Sequence, residues 1–158
     1  MPDSFVLIQE YGYFFLFLIV LSGVLGFPVP DEGVLFFAGV LIAKGLMSFV
    51  PALVVSVGAV MLGSFVNYRV ASLCGVWKMA RWGRRIGFPV HRWKRSVRIM
   101  RRYGIWAVPV SYFIPGVRMG VSYGAGLLRL PAREYTISAF VGVVAWVGLY
   151  LWLGSLVA

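Results

Sequence analysis

Asp31 and Glu32 follow Pro28-Val29-Pro30 directly and head an apolar run, and Arg118 follows Pro115-Gly116 with apolar sequence on both sides. A carboxylate placed there can hold a cation or a proton. A guanidinium beside backbone N–H groups freed by a Pro-Gly break can hold an anion. Plainer roles compete: an acid in a helix's first turn suits the macrodipole and can cap it, and an arginine can snorkel to an interface. An acid within a membrane is a site by default, while a cap accounts for a neighbouring acid, so Glu32 is favoured as the site and Asp31 as the cap. Asn67, Tyr68 and Arg69 form a further polar group, either an interior cluster or the end of a helix. Arg69 lies seven residues before Val76, about two turns of helix, which leans it toward the interior. Lys44, Arg129, Arg133 and Glu134 suit interface anchoring. No nucleophile and base lie together and no metal-ligand spacing occurs, so neither an enzyme nor a cofactor or metal is expected; Cys74 and His91 are alone of their kind.

The elements that position these residues follow from composition. The chain has 158 residues, 61% hydrophobic and 13% charged, against about a quarter charged in soluble domains. It is expected to be an integral membrane protein of one domain. Disorder, a disulfide scaffold and a structural zinc site are excluded. The net charge of +10 sits in one segment, where Lys78, Arg81, Arg84, Arg85, Arg92, Lys94, Arg95, Arg98, Arg101 and Arg102 run without an acid. Trp77, Trp82 and Trp93 are interleaved, which would suit nucleic acid. Between two long apolar blocks, however, the positive-inside rule makes this a cytoplasmic segment with interfacial tryptophans, and no nucleic-acid partner is expected. Trp93, Val97 and Met100 give an apolar stripe to a short helix expected on the inner membrane surface, against anionic lipids. The acidic start MPDSF argues against a cleaved signal, so the first apolar stretch is expected to be retained.

Residues 5–27, 51–76 and 135–158 are each long enough to cross a bilayer, for which about 20 helical residues suffice. Segments 34–47, 104–117 and 119–130 are too short and are broken by Pro and Gly, as in re-entrant hairpins lining protein or a wet cavity. The fold class is therefore all-α membrane: three full spans and two broken-helix hairpins. Aligning Pro28 with Pro115 pairs Asp31 with Arg118, Gly33 with Gly120 and Ala38-Gly39 with Ala125-Gly126; Gly63 and Gly75 are spaced like Gly142 and Gly154. The layout is a first repeat over 28–76, a basic interfacial segment over 77–103 and a second repeat over 104–158. With the basic segment inside, the N-terminus is cytoplasmic and the C-terminus outside, and the repeats insert in opposite senses. That is the inverted repeat of secondary transporters, whose site lies at mid-membrane between discontinuous helices. Gly116, Gly120 and Gly124 leave one helical face bare, for close packing or for lipid.

The stretches PVPDEGVLFFAG, GSFVNYRVASLCG and FIPGVRMGVSYGAGLLRLPAREY, followed by a Trp-containing span, resemble the DedA family of bacterial membrane proteins, which shares its core with the VTT or SNARE-associated Golgi proteins. The resemblance covers about residues 25–154. It implies two facing re-entrant hairpins and transport of lipid head groups across the inner membrane, proton-linked in some proposals. The lipid would be undecaprenyl phosphate or phosphatidylethanolamine, with phospholipid scrambling in eukaryotic relatives. By motif, the family's acid falls on Glu32 and its second-hairpin arginine on Arg118. Three departures stand out: Ser64 where the family commonly has an acid, Ala71-Ser72 where it usually has a Gly-Arg pair, and Tyr112 where many members have an arginine. A phosphate monoester should want both arginines, which tilts the expectation toward phosphatidylethanolamine, unless Arg69 replaces the missing one. The expected partners are thus a membrane lipid at Glu32, Arg118, Asp31, Pro115, Gly116, Arg69 and Tyr112, a coupling proton, and anionic lipids, with a homo-oligomer left open. A small ion or proton transporter and a purely structural membrane protein are the rivals.

Overall fold

The computed structural model describes residues 2–25, 30–86, 90–113 and 118–157. The described elements are all helical: α1 (Pro2–Leu25), α2 (Asp31–Ala43), α3 (Phe49–Ile86), α4 (Val90–Tyr103), a 3-10 turn (Gly104–Trp106), α5 (Ala107–Ser111), α6 (Arg118–Leu127) and α7 (Ala132–Val157). Two stretches are long and apolar enough to cross a membrane, Phe49–Leu73 in α3 (25 residues) and Ala132–Val157 (26 residues). The span expected over 5–27 is helical across Pro2–Leu25, but its described apolar stretch is Gln9–Leu25, shorter than the other two. The segments expected to be broken form the short helices α2, α5 and α6.

The basic segment departs from a loop. α3 continues unbroken for 38 residues, from Phe49 to Ile86, which carries it about 20 Å past Leu73 at ~1.5 Å per residue. No proline or glycine pair interrupts the register between Leu73 and Ile86, so the helix has no reason to stop where its apolar face does. α4 packs against α6, and Met100 is buried. It is therefore held by protein along one side.

The chain forms two compact units. One comprises residues 1–63 and 143–158, the other Ser64–Gly142, so α3 and α7 each contribute to both. In the first unit, Gly63 receives α1: a Cβ there would lie 2.6 Å from Val24 Cγ1. Gly39 of α2 meets α7 backbone to backbone. A Cβ on Gly39 would strike the Leu151 carbonyl oxygen and lie 2.8 Å from Gly154 Cα, and one on Gly154 would strike the Phe36 carbonyl oxygen. In the second unit, Gly142 receives α5, since a Cβ there would be 2.5 Å from Pro109 Cα. Gly126 of α6 meets α3, where a Cβ would strike the Tyr68 carbonyl oxygen and lie 2.8 Å from Ala71 Cβ.

Each unit thus repeats one packing scheme. The preceding helix rests on a glycine of the following long helix, and the short helix crosses the other long helix at a glycine. The pairs that the sequence aligns, Gly39 with Gly126 and Gly63 with Gly142, occupy corresponding roles. Both short helices also end alike. Leu46 N–H reaches the Leu41 carbonyl and Gly45 N–H the Ile42 carbonyl (each 3.0 Å), while Leu130 N–H reaches Ala125 and Arg129 N–H reaches Gly126 (each 3.1 Å). These are Schellman closures, with Gly45 (φ 73°) and Arg129 (φ 52°) in the left-handed position. The Gly116–Gly120–Gly124 face contributes only Gly124, which is buried, to the described side chains; the close approach is made by Gly126 on another face.

Substituting Ala at Gly126 or Gly154 should lower stability by about 1–3 kcal/mol, the usual cost of overpacking. Gly12→Ala, with nothing within 4 Å of its Cβ, should be neutral or better. Thermal unfolding in detergent, followed by size-exclusion recovery, compares the three.

Candidate functional site

In the first unit, Pro30 occupies the cap position of α2 and Val34 N–H reaches the Pro30 carbonyl at 3.1 Å, which starts the helix. Asp31 is therefore the first helical residue and not the cap. Its side chain is fully buried, while Glu32 is half-buried. Burial of this carboxylate depends on a bare patch of α1: a Cβ on Gly23 would strike Asp31 Oδ1 and lie 2.6 Å from its Cγ. Of the two adjacent acids only Asp31 is fully buried, and Gly23 of α1 is the residue that makes room for it. An acid in the membrane costs about 2.5–3.5 kcal/mol on insertion scales, and the positive end of the α2 dipole offsets part of this. Ser56, on the buried face of α3 with Ala52, Ala59 and Val60, keeps a hydroxyl that makes no hydrogen bond among the described residues.

The second unit gathers hydroxyls instead of carboxylates. Ser64 Oγ and Tyr112 Oη are 3.0 Å apart, both buried, and either can donate. Tyr135 Oη lies 3.0 Å from Ser122 Oγ and 3.4 Å from the Ser64 carbonyl oxygen. One phenolic proton serves one of these acceptors, so when Tyr135 donates to Ser64, Ser122 donates to Tyr135. Tyr123 donates to Asn67 Oδ1 at 3.3 Å, and Tyr68 donates to the Leu130 carbonyl oxygen. Tyr68 and Tyr135 stack with centroids 4.7 Å apart and planes 11° from parallel. α3, the end of α5, α6 and α7 therefore meet on a neutral hydrogen-bonded cluster, fully satisfied only as a unit.

The sequence-derived site residues fall into both units. Asp31 and Glu32 belong to the first; Arg69, Tyr112 and Arg118 belong to the second. Arg118 is the first residue of α6. Its side chain, and the whole of Pro115 and Gly116, lie outside the described residues. Asn67 and Tyr68 are buried, but Arg69 is exposed, so it leaves the interior cluster to which its position leaned. A helix turns by about 100° per residue, so three consecutive residues cannot share one face. Sequence reasoning missed Tyr135, Ser122 and Tyr123; serines and tyrosines spread over three apolar helices carry no local spacing signal.

Ser64 and Tyr112 stand where the resemblance expects an acid and an arginine, and they touch. Exchanging both members of such a pair leaves the net charge of the site unchanged.

The described residues are all helical, with two bilayer-length apolar helices, short helices that cross them at glycines, and an acid pair or an arginine at the starts of α2 and α6. The VTT domain matches residues 27–156, and the chain belongs to this family, the DedA family of membrane proteins. It is 26% identical over 151 residues to the uncharacterized membrane protein YbfM of Bacillus subtilis, covering 96% of this chain and 93% of that one. It is 29% identical over 144 residues to undecaprenyl phosphate transporter A of Staphylococcus aureus, covering 88% and 70%. With the inner membrane protein YghB of Escherichia coli it shares 26% identity over 150 residues, covering 94% and 68%. No solved structure matches the chain.

Ser64→Asp or Tyr112→Arg alone should destabilise the protein by about 3–5 kcal/mol, the cost of an unpaired buried charge, and Ser64→Asp with Tyr112→Arg should recover most of it. A double-mutant cycle of melting temperatures in detergent measures the coupling.

Proposed function

We propose that this chain is a lipid translocase of the bacterial inner membrane that moves a phosphate-bearing lipid head group between leaflets. The observation that carries the proposal is the placement of charge at the starts of broken helices: buried Asp31 and half-buried Glu32 open α2, and Arg118 opens α6. The phosphate is held by Arg118 with the N–H groups of α6's first turn, near the hydroxyl cluster's helices. Glu32 and Asp31 take the coupling proton or a cationic part of the head group. The acyl or prenyl chains remain in the bilayer. The N-terminus is cytoplasmic and the C-terminus outside.

Undecaprenyl phosphate is the favoured lipid. Relatives from S. aureus and B. subtilis are named as transporters of it. Phosphatidylethanolamine is the second substrate considered, because the two acids of α2 could meet its ammonium.

Liposomes containing labelled undecaprenyl phosphate or phosphatidylethanolamine, with and without a pH gradient, test this. Glu32→Gln and Arg118→Ala should each lower head-group movement about ten-fold or more, the loss of one charge-assisted contact, while leaving the melting temperature near that of the parent. Full activity in both would overturn the assignment. Ion flux without any lipid movement would favour the small-ion transporter.

A further inference from the structure

The two units carry opposite charge. Lys44 is the one Lys or Arg in the first unit, beside Asp3, Glu10, Asp31 and Glu32; the second unit holds the other fourteen of the 15 cations and a single acid, Glu134. No carboxylate occurs in the sequence between Glu32 and Glu134. The second unit therefore cannot neutralise itself, and its core cluster of Ser64, Tyr112, Ser122 and Tyr135 supplies no charge to help.

The cations are arranged, not scattered. Lys94, Arg98 and Arg101 are exposed on α4 at i, i+4 and i+7, and so share one face. Met100, on another face, is buried, and α4 packs against α6. Lys78, Arg81 and Arg85 form a second exposed stripe, at i, i+3 and i+7, on the part of α3 that runs beyond its apolar span. α4 also leads directly through Gly104, at φ 60°, into the 3-10 turn and α5, which ends beside Tyr112. One side of α4 thus bears cations, and the helix is joined to both arms of the second unit's broken-helix region.

We infer that the α4 face of Lys94, Arg98 and Arg101 docks on anionic phospholipid head groups, and that this docking regulates transport by fixing α4, and with it α6, in the conformation that moves lipid. The partner is chosen by charge complementarity: a membrane leaflet is the anionic surface that a stripe beyond an apolar span meets, and its potential attracts basic helices within about one Debye length. The effect on rate rests on the transport function proposed above; the docking itself does not.

The experiment uses the full chain and the triple variant Lys94→Gln/Arg98→Gln/Arg101→Gln, in phosphatidylcholine vesicles with or without about 30% phosphatidylglycerol. Transport of labelled undecaprenyl phosphate is measured in vesicles, and melting temperature in detergent is measured with each lipid added. Phosphatidylglycerol should raise the parent's transport rate about three-fold or more and raise its melting temperature, with both effects shrinking as salt screens the charges. The triple variant should match the parent in phosphatidylcholine and respond to neither. If no protein moves lipid in any vesicle, the transport assignment fails while the melting temperatures still decide the docking. Equal responses of parent and variant, no response in the parent, or equal stabilisation by a short RNA would overturn the inference.

Discussion

The fold depends on short helices lying backbone-to-backbone against long ones within a membrane, with nothing but glycine between them. A helix of 10 or 13 residues cannot cross a bilayer and cannot leave its ends in lipid. It must be carried by a neighbour, and hydrocarbon offers no hydrophobic force to push the two together. Contact at Gly39 with Gly154 and at Gly126 with Tyr68 and Ala71 brings the axes close enough for dispersion and weak Cα–H contacts to hold them. The Schellman closures at Gly45 and Arg129 then satisfy carbonyls that lipid could not. Held in this way, the short helices carry Asp31 and Arg118 in their first turns.

The two units use that geometry for different chemistry. α2 buries a carboxylate where Gly23 leaves room for it, whereas the second unit builds its interior from tyrosine and serine and leaves its many cations elsewhere. A carboxylate needs a tailored recess because its desolvation is costly. Hydroxyls need only one another, which is why four elements can converge on Ser64, Tyr112, Ser122 and Tyr135 without a counter-ion.

Much of this was legible in the sequence wherever periodicity or punctuation speaks. Helix breakers near Pro30 and Pro115 marked the short helices, length marked the spans over 51–76 and 135–158, and the Ala38-Gly39 and Ala125-Gly126 correspondence foretold matching helix crossings. What stayed hidden depends on three-dimensional neighbours. Asp31 and Glu32 are adjacent in sequence, so only the position of Gly23 separates a buried acid from a half-buried one. Arg69 follows two buried residues, and a rotation of one residue takes it outside. The continuation of α3 to Ile86 escaped because polarity ends an apolar span without ending a helix. Ser64 and Tyr112 looked like two independent departures from a family pattern and prove to be one contact.

The uncharged character of that contact bears on how the protein can sense its membrane. A group that carries no formal charge does negligible work against a transmembrane voltage when it shifts, whereas a moving elementary charge exchanges about 2.3 kcal/mol per 100 mV. Rearranging hydroxyls around Ser64 and Tyr112 is accordingly almost blind to membrane potential. Any electrical response of the protein has to originate in its formally charged side chains, which lie outside this contact.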